Sequence, residues 1–310
     1  MADWTERSDA NYLGRLIHIG DDSTPFLSMM GGLGAGKTTR SFNYPVAQPW
    51  SSRAGDQSTA IKSEDTSVTT DTPITVTRTQ DYGTCQIMKY PYGVSFAKQS
   101  TVGEFAGIQI EGVQPVTDEL GFQRSAALLQ MAIDLEFSYF QGVYVANSAG
   151  DTIAKMGGLE DIIDTNTVAA SAALFSKELL DELLVEMVGN GAIVKNMVLF
   201  CNAFQKTQVS DVYGYAPESR NVGGVNVEQI YTDFGLIGVK YASQMPTDDI
   251  YIVEMSVCSP VFCPYKGQII TDVEVGVIGA MESGFLYTQA GFDYGPEEYH
   301  GSITGLATSK

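Results

Sequence analysis

Between Thr117 and Ala146 the chain holds its one long uninterrupted helical pattern. Phe122, Ala126, Leu129, Ile133, Phe137, Phe140 and Tyr144 recur at gaps of three and four, which lays an apolar stripe along a helix, while Gln123, Arg124, Gln130, Asp134 and Glu136 fall off it. Pro115 stops anything helical from arriving, Thr117 can cap, Asp118 and Glu119 sit in the positive first turn, and Asn147 with Gly150 ends the run. At about 1.5 Å per residue this helix spans about 45 Å, long for a single globular core.

The flanking patterns differ in kind. Residues 1–36 read as an arm: Leu13, Leu16 and Ile17 make a short apolar turn, Asp21 to Pro25 break it, Phe26 to Met30 make a second, and a glycine-rich run from Gly31 to Gly36 frees the backbone. Residues 37–90 have strand chemistry without a core of their own. Thr38, Arg40, Phe42 and Tyr44 suit an extended stretch and Ile74 to Thr79 alternate, but Ser51 to Thr72 between them have almost nothing apolar to bury. A lone two-stranded ribbon is marginal in water, so this segment is expected either to stay disordered or to fold against something outside its own domain.

Strand-like stretches at Cys85–Tyr90 and Val94–Phe96 precede the long helix. A second helix is predicted over Ser176–Val188, with Ser176 as N-cap, a stripe of Leu179, Leu180, Leu183, Leu184 and Met187, and Gly189 with Gly191 as its stop. Strand Met197–Cys201 and short helix Ala203–Val212 follow. Short strands then alternate with turns at Val227–Tyr231, Leu236–Tyr241, Ile250–Val253, Gln268–Ile270 and Phe285–Gln289. The fold class is α+β with segregated helices.

With 310 residues, 44% hydrophobic and 18% charged, the chain can bury a sizeable core in one or two domains, which excludes disorder throughout. No basic region followed by an apolar run opens the sequence and nowhere do 18 apolar residues follow one another, so neither a standard export signal nor a membrane span is expected. Cys85, Cys201, Cys258 and Cys263 lack CxxC spacing and point to buried free thiols in a reducing compartment; of the four, only Cys258 and Cys263 are expected as neighbours. The formal charge of −19 is uneven: residues 1–100 carry nine Lys or Arg against ten Asp or Glu, 101–220 six against sixteen, and 221–310 three against eleven. Direct nucleic-acid binding needs clustered cations and is disfavoured. Self-complementarity, with the less acidic segment of one copy over the acidic body of another, fits the asymmetry.

The loudest motif is Gly31 to Thr38, a literal match to GxxxxGK[ST]. Its phosphate-cradling chemistry requires a buried strand before it and a helix after it. Phe26 to Met30 follow a breaker, and Thr39 to Pro45 cannot be a helix, so a glycine hinge is the expected role. His18 and His300 lie one in each terminal segment, the SxxK match at Ser95 to Lys98 has no partner motif, and Cys258 and Cys263 have no zinc partners. No catalytic, cofactor-binding or metal-binding residue is therefore assigned, and a structural role is expected.

The order of arm, polar hairpin, long spine helix, α/β body and returning strands resembles the major capsid proteins of tailed bacteriophages with the Hong Kong 97-type fold. Ser23 to Gly32, Lys37 to Phe42, Glu119 to Leu128, Gly238 to Glu254 and Tyr299 to Leu306 look like the branch typified by SU-type phage major head proteins. The resemblance implies an N-terminal arm (1–36), an extended β-hairpin loop with flanking strands (37–90), a peripheral domain with the spine helix 117–146 (91–149), an axial domain (150–260) and peripheral return strands (261–310). It implies an icosahedral virion capsid built from pentamers and hexamers of the chain itself, assembled in the host cytoplasm. Portal, scaffolding and decoration proteins are expected partners, and the DNA is enclosed without sequence-specific binding. Trp50, Arg53, Ile61, Lys62 and Ile74 are the expected intersubunit contacts of the loop. An encapsulin-like compartment shares this fold, and a P-loop NTPase is the enzyme alternative.

Overall fold

One phenylalanine joins the two larger sheets of the described residues. The structure, a computed structural model, describes residues 23–34, 36–47, 63–68, 80–97, 119–147, 153–214, 219–222 and 225–309, together with Trp50, Val76 and Arg78. In chain order the elements are α1 (Pro25–Met29), β1 (Lys37–Thr38), β2 (Asn43–Pro45), a single turn α2 (Glu64–Ser67), β3 (Tyr82–Thr84), β4 (Gln86–Ser95), α3 (Glu119–Gln141), α4 (Leu159–Ile162), β5 (Thr167–Ala169) and α5 (Lys177–Gly189). They continue with β6 (Met197–Cys201), α6 (Ala203–Tyr213), β7 (Ser219–Val222), β8 (Val225–Thr232), β9 (Gly235–Tyr241), β10 (Ile250–Glu254), β11 (Ser259–Phe262), β12 (Ile270–Val277), β13 (Met281–Asp293) and β14 (Gly301–Thr304).

Strand β13 organises the first sheet. One edge pairs antiparallel with β4, from Met281 opposite Ser95 to Ala290 opposite Gln86, and the other pairs with β12 and then β11. Strand β1 adds on parallel to β11. Tyr92 of β4 lies over Gly284 of β13, where even a methyl group would come within 2.5 Å of the phenol oxygen, so the glycine makes room for the ring. Helix α3 packs across this sheet through Met131, Leu135 and Tyr139.

The second sheet has seven strands in the order β5, β14, β10, β6, β9, β8, β7. Its central strands β6 and β10 are buried at every position because both faces are covered. Met197, Leu199, Ile250 and Ile252 share a core with Leu180, Leu183, Leu184 and Met187 of α5, whereas Val198, Phe200, Tyr251 and Val253 share one with α1 and α3. Double burial is why both strands read as continuous apolar runs in the sequence. Phe26 of α1 lies where the layers meet: its ring centroid is 5.0 Å from Phe140 on α3, 5.1 Å from Phe200 on β6 and 5.7 Å from Phe292 on β13.

Four expectations need correction. The spine helix ends at Gln141, not near Ala146, because Gly158 is pressed against Gly142: the Gly158 amide donates to the Gly142 carbonyl at 2.7 Å, and a side chain at 158 would meet the Gly142 nitrogen at 2.5 Å. Residues 117 and 118 lie outside the described residues. The stripe through Phe122, Leu129 and Ile133 is not the face that packs on the sheet; Leu120, Ala127, Met131 and Leu135 are. Strand β14, expected among the returning strands, pairs with β10 and β5 in the seven-stranded sheet. Cys263 clusters with Cys85 rather than Cys258, which belongs to the main core. Helices α5 and α6 and strands β6, β9 and β10 form where the sequence places them to within two residues.

Candidate functional site

The chain pairs with itself on either side of residues 48–80. Asn43–Pro45 and Tyr82–Thr84 pair antiparallel, and the ladder continues through Val46 N–H to the Asp81 carbonyl at 2.9 Å and Asp81 N–H to the Ala47 carbonyl at 3.0 Å. Side chains lock this root to the body. Thr84 Oγ1 donates to Asn43 Oδ1 at 2.9 Å, Asn43 Nδ2 to the Asn147 carbonyl at 3.2 Å, and the buried Tyr44 hydroxyl to the Phe292 carbonyl at 2.9 Å. The Tyr44 ring fits because residues 83 and 291 are glycine; a Cβ at either would come within 2.7 Å of it. Burial at the root pushes the Tyr44 hydroxyl far above its ordinary pKa, and pushes the neighbouring Cys85 thiol up to about 12, reinforced by Cys263.

From residue 50 to residue 80, every residue whose side chain is described is exposed, Trp50 at 64% and Val68 at 85%. Of the five loop contacts expected from the sequence, Trp50 is placed on this exposed stretch; Arg53, Ile61, Lys62 and Ile74 lie outside the described residues.

The glycine run has a different job from phosphate binding. After Gly36 the chain enters β1 rather than a helix, so no helix N-terminus faces the loop. Gly36 has φ +148°, and a Cβ there would lie 2.6 Å from the Pro260 carbonyl oxygen. Lys37 is ion-paired with the buried carboxylate of Asp293, and Thr39 N–H bonds the Phe262 carbonyl at 2.8 Å. The run therefore stitches the arm to β11 and β13. Ala35 lies outside the described residues.

Glu136, which falls off the sequence stripe and so reads as a solvent-facing residue, is the arm's principal anchor. It is fully buried, with Oε1 accepting the Phe26 amide at 3.0 Å and Oε2 the Leu27 amide at 2.7 Å. These are the amides at the start of α1 that lack partners within a helix. Burial raises the Glu136 pKa to about 7 against the lowering effect of the two amides. The pairing was illegible in sequence because only the folded chain brings residues 110 apart together. A lone Glu in an apolar neighbourhood, with Leu135 before it and Phe137 after it, was the available signal.

Beside the ribbon root is a cavity of about 200 Å³ walled by Tyr44, Tyr82, Tyr144 and Tyr294, with Asp161 as its one carboxylate. Asp161 Oδ2 accepts the Tyr144 amide at 2.8 Å. His300 lies apart, fully buried; its Nε2 is 2.7 Å from the Tyr294 carbonyl and its Nδ1 accepts the Glu254 amide at 3.4 Å, a structural role. Among the described residues no group of three or more His, Cys, Asp and Glu is placed to hold a metal ion, and no helix is long and apolar enough to cross a membrane.

The elements of this site are the anchored helix α1, the paired root of β2 and β3, and the long helix α3 across a sheet. Solved structures similar to this fold include phage capsids and an encapsulin shell. The capsid of cyanophage A-1(L) is similar with a TM-score of 0.61 and 11% identity, covering 96% of this chain and 97% of that one. That of Mycobacterium phage Cain is similar with a TM-score of 0.56 and 12% identity, over 95% and 93%. The SrpI encapsulin of Synechococcus elongatus PCC 7942 is similar with a TM-score of 0.58 and 11% identity, over 94% of each chain. At such identities the likeness establishes the Hong Kong 97-type fold. No curated protein sequence matches the chain. Residues 3–307, nearly the whole chain, match the model of one family, the SU10 major capsid proteins. The chain belongs to the SU10 major capsid protein family and is a major capsid protein of a phage virion.

Proposed function

We propose that the subunit builds its icosahedral shell by laying the ribbon of residues 48–80 on a neighbouring copy. The observation that carries this reading is the ribbon's root, two short strands clamped together against β13 with exposed side chains beyond them. A ribbon that buries little alone gains cover and backbone pairing from an adjacent surface, so its ordering is coupled to assembly. Trp50, Ile61 and Ile74 supply apolar contact in this scheme, and Arg53 and Lys62 meet the acidic remainder of the next copy. Many such contacts, closed by symmetry, give a stable shell from individually weak joints.

Residues 91–149 with the return strands β12 and β13 act in this scheme as the peripheral part, and residues 150–260 as the axial part meeting at fivefold and sixfold centres of pentamers and hexamers. Portal, scaffolding and decoration proteins join the same shell. The net charge of −19 keeps the inner wall from gripping DNA, which must move during packaging. No catalytic step belongs to this role: the Lys37 ammonium is committed to Asp293 and the glycine run to β11. Electron microscopy of the purified protein tests the proposal. Closed particles of one size support it, and a protein that stays a solitary subunit at every concentration and ionic strength contradicts it. Particles filled with a cargo enzyme in place of a genome would transfer the chain to encapsulin-like compartments.

A further inference from the structure

Residues 190 and 191 are the chain's one Asn-Gly pair. In such a pair the glycine nitrogen, with no side chain to hinder it, can attack the asparagine side-chain carbonyl carbon. A bond forms between the Gly191 nitrogen and Asn190 Cγ, the bond from Cγ to Nδ2 breaks, and the proton lost by the glycine nitrogen leaves with the amide group as ammonia. Water then opens the cyclic imide at either carbonyl, leaving aspartate or isoaspartate. One water is consumed and one ammonia released, with no oxidant or cofactor. Asn190 is exposed to the water that the second step consumes.

The fold withholds both partners of this reaction. Asn190 is the C-cap of α5, with φ −85° and ψ 2°, and Gly191 follows in the left-handed region at φ +93°. The Gly191 amide donates to the Val188 carbonyl at 3.1 Å and the Ala192 amide to the Met187 carbonyl at 2.9 Å, the two bonds of a Schellman ending. The nitrogen that would attack is therefore a donor in the cap. The group that would be attacked is held as well: Asn190 Nδ2 donates to Asn166 Oδ1 at 2.7 Å. Asn166 is fully buried, and its own Nδ2 is committed to the Glu298 and His300 carbonyls at 2.8 and 2.9 Å. Its Oδ1 thus needs a donor and cannot exchange places with Nδ2 without losing both of those bonds.

We propose that Asn190 is a deamidation site gated by the C-terminal cap of α5: held back while the cap is closed, converted when it opens, and unable to close in the same way afterwards. Opening releases the Gly191 nitrogen from Val188 and the Asn190 side chain from Asn166, so the reaction runs from the open fraction alone. The product sets a carboxylate, which only accepts hydrogen bonds, against an Asn166 oxygen that also only accepts. It also adds a negative charge at the negative end of α5, one turn after Glu186. The last turns of α5 pack on β14, where a Cβ at Gly301 would lie 2.6 Å from Met187 Sδ, so a converted copy is loosened at that joint.

The test uses full-length protein as dissociated subunits, so its failure would leave the shell proposal standing. Folded protein and protein unfolded in urea are incubated in the same mildly alkaline buffer, and the tryptic peptide Glu178–Lys195 is followed by mass spectrometry. Conversion at residue 190 should be slower by about tenfold or more in the folded protein. Asn166→Ala, which removes the acceptor of the Asn190 amide, should speed it several-fold in the folded protein. Equal rates in folded and unfolded protein would overturn the proposal, as would no conversion in either or an Asn166→Ala rate equal to that of the unmodified subunit. A second measurement does not depend on that variant folding. Asn190→Asp should unfold about 2 °C or more below the unmodified protein, and below Asn190→Ala as well. An Asn190→Asp midpoint at or above that of Asn190→Ala contradicts the loss of closure.

Discussion

Oε2 of Glu136 accepts the backbone amide of Leu27 at 2.7 Å, a bond between buried residues 109 apart in the chain. The carboxylate's other oxygen takes the Phe26 amide, and Tyr139 is its titratable neighbour on α3. An anion so enclosed is tolerable because two amides aim at it, yet burial still raises its pKa from 4.5 to about 7. A carboxyl raised in this way contributes stability that is complete below about 4.5 and is lost as the pH rises through about 7. The difference corresponds to about 3 kcal/mol. Urea midpoints of the unmodified protein should therefore carry a component that falls between pH 5 and pH 8. Glu136→Gln should remove that component, and Glu136→Ala, which leaves both amides buried without partners, should cost about 2 to 5 kcal/mol.

His300 titrates with the opposite sign. Burial holds its pKa below the ordinary 6.5, so the folded protein keeps a neutral ring where the unfolded chain binds a proton. Stability is then lost as the pH falls below about 6.5. In the Glu136→Gln background, where the larger titration is gone, midpoints should drop from pH 7 to pH 5, and adding His300→Gln should flatten the curve.

The glycine run separates a stitch from a nucleotide loop by two substitutions. Gly36→Ala forces a methyl group against the Pro260 carbonyl and should destabilise by at least about 2 kcal/mol. Lys37→Ala leaves the Asp293 carboxylate without its cation and should cost about 1 to 3 kcal/mol. Thermal unfolding measures both. Neither substitution should alter any trace of ATP hydrolysis; a Lys37-dependent activity would revive the nucleotide reading.

Much of this architecture was legible in the sequence because local signals and packing agreed. Helix α5 has its Ser176 cap, whose hydroxyl accepts the Leu179 amide, and its leucine stripe lies in the core. Strands β6 and β10 were legible because both faces are buried. Helix α3 was legible as a helix but not in its orientation. Both of its faces are apolar, and periodicity cannot tell which of two stripes meets the sheet. Strand β13 extends from Met281 to Asp293, well beyond Phe285–Gln289, because Gly284 and Gly291 dilute its pattern while making room for Tyr92 and Tyr44 from other strands. The root of β2 and β3 was legible as strand chemistry at Phe42, Tyr44 and onward, whereas most of Ser51 to Thr72 lies outside the described residues. The root's anchoring through Tyr44 and Asn43 depends on partners from β13 and the segment that follows α3, about 250 and 100 residues away, and no local signal reports them.

Trp50 offers an optical readout of the ribbon. It is 64% exposed in the isolated subunit, and Trp4 is the chain's only other tryptophan. In a Trp4→Phe background, emission should shift to shorter wavelength on assembly as the indole is covered by the neighbouring copy. Trp50→Ala should weaken assembly by about tenfold or more in critical concentration, as expected for a buried aromatic anchor worth about 1.4 kcal/mol or more at each joint. Emission that stays red in closed particles would remove Trp50 from the interface.

The most direct measurement replaces residues 50–78 with an Asn-Gly turn, which closes the paired root as a two-residue hairpin. Because the excised side chains that are described lie exposed, the variant should unfold within a few degrees of the unmodified protein and remain soluble. Electron microscopy and light scattering should then find subunits or small oligomers under conditions where the full chain forms closed shells. Shells of normal size and yield from the variant would contradict the account.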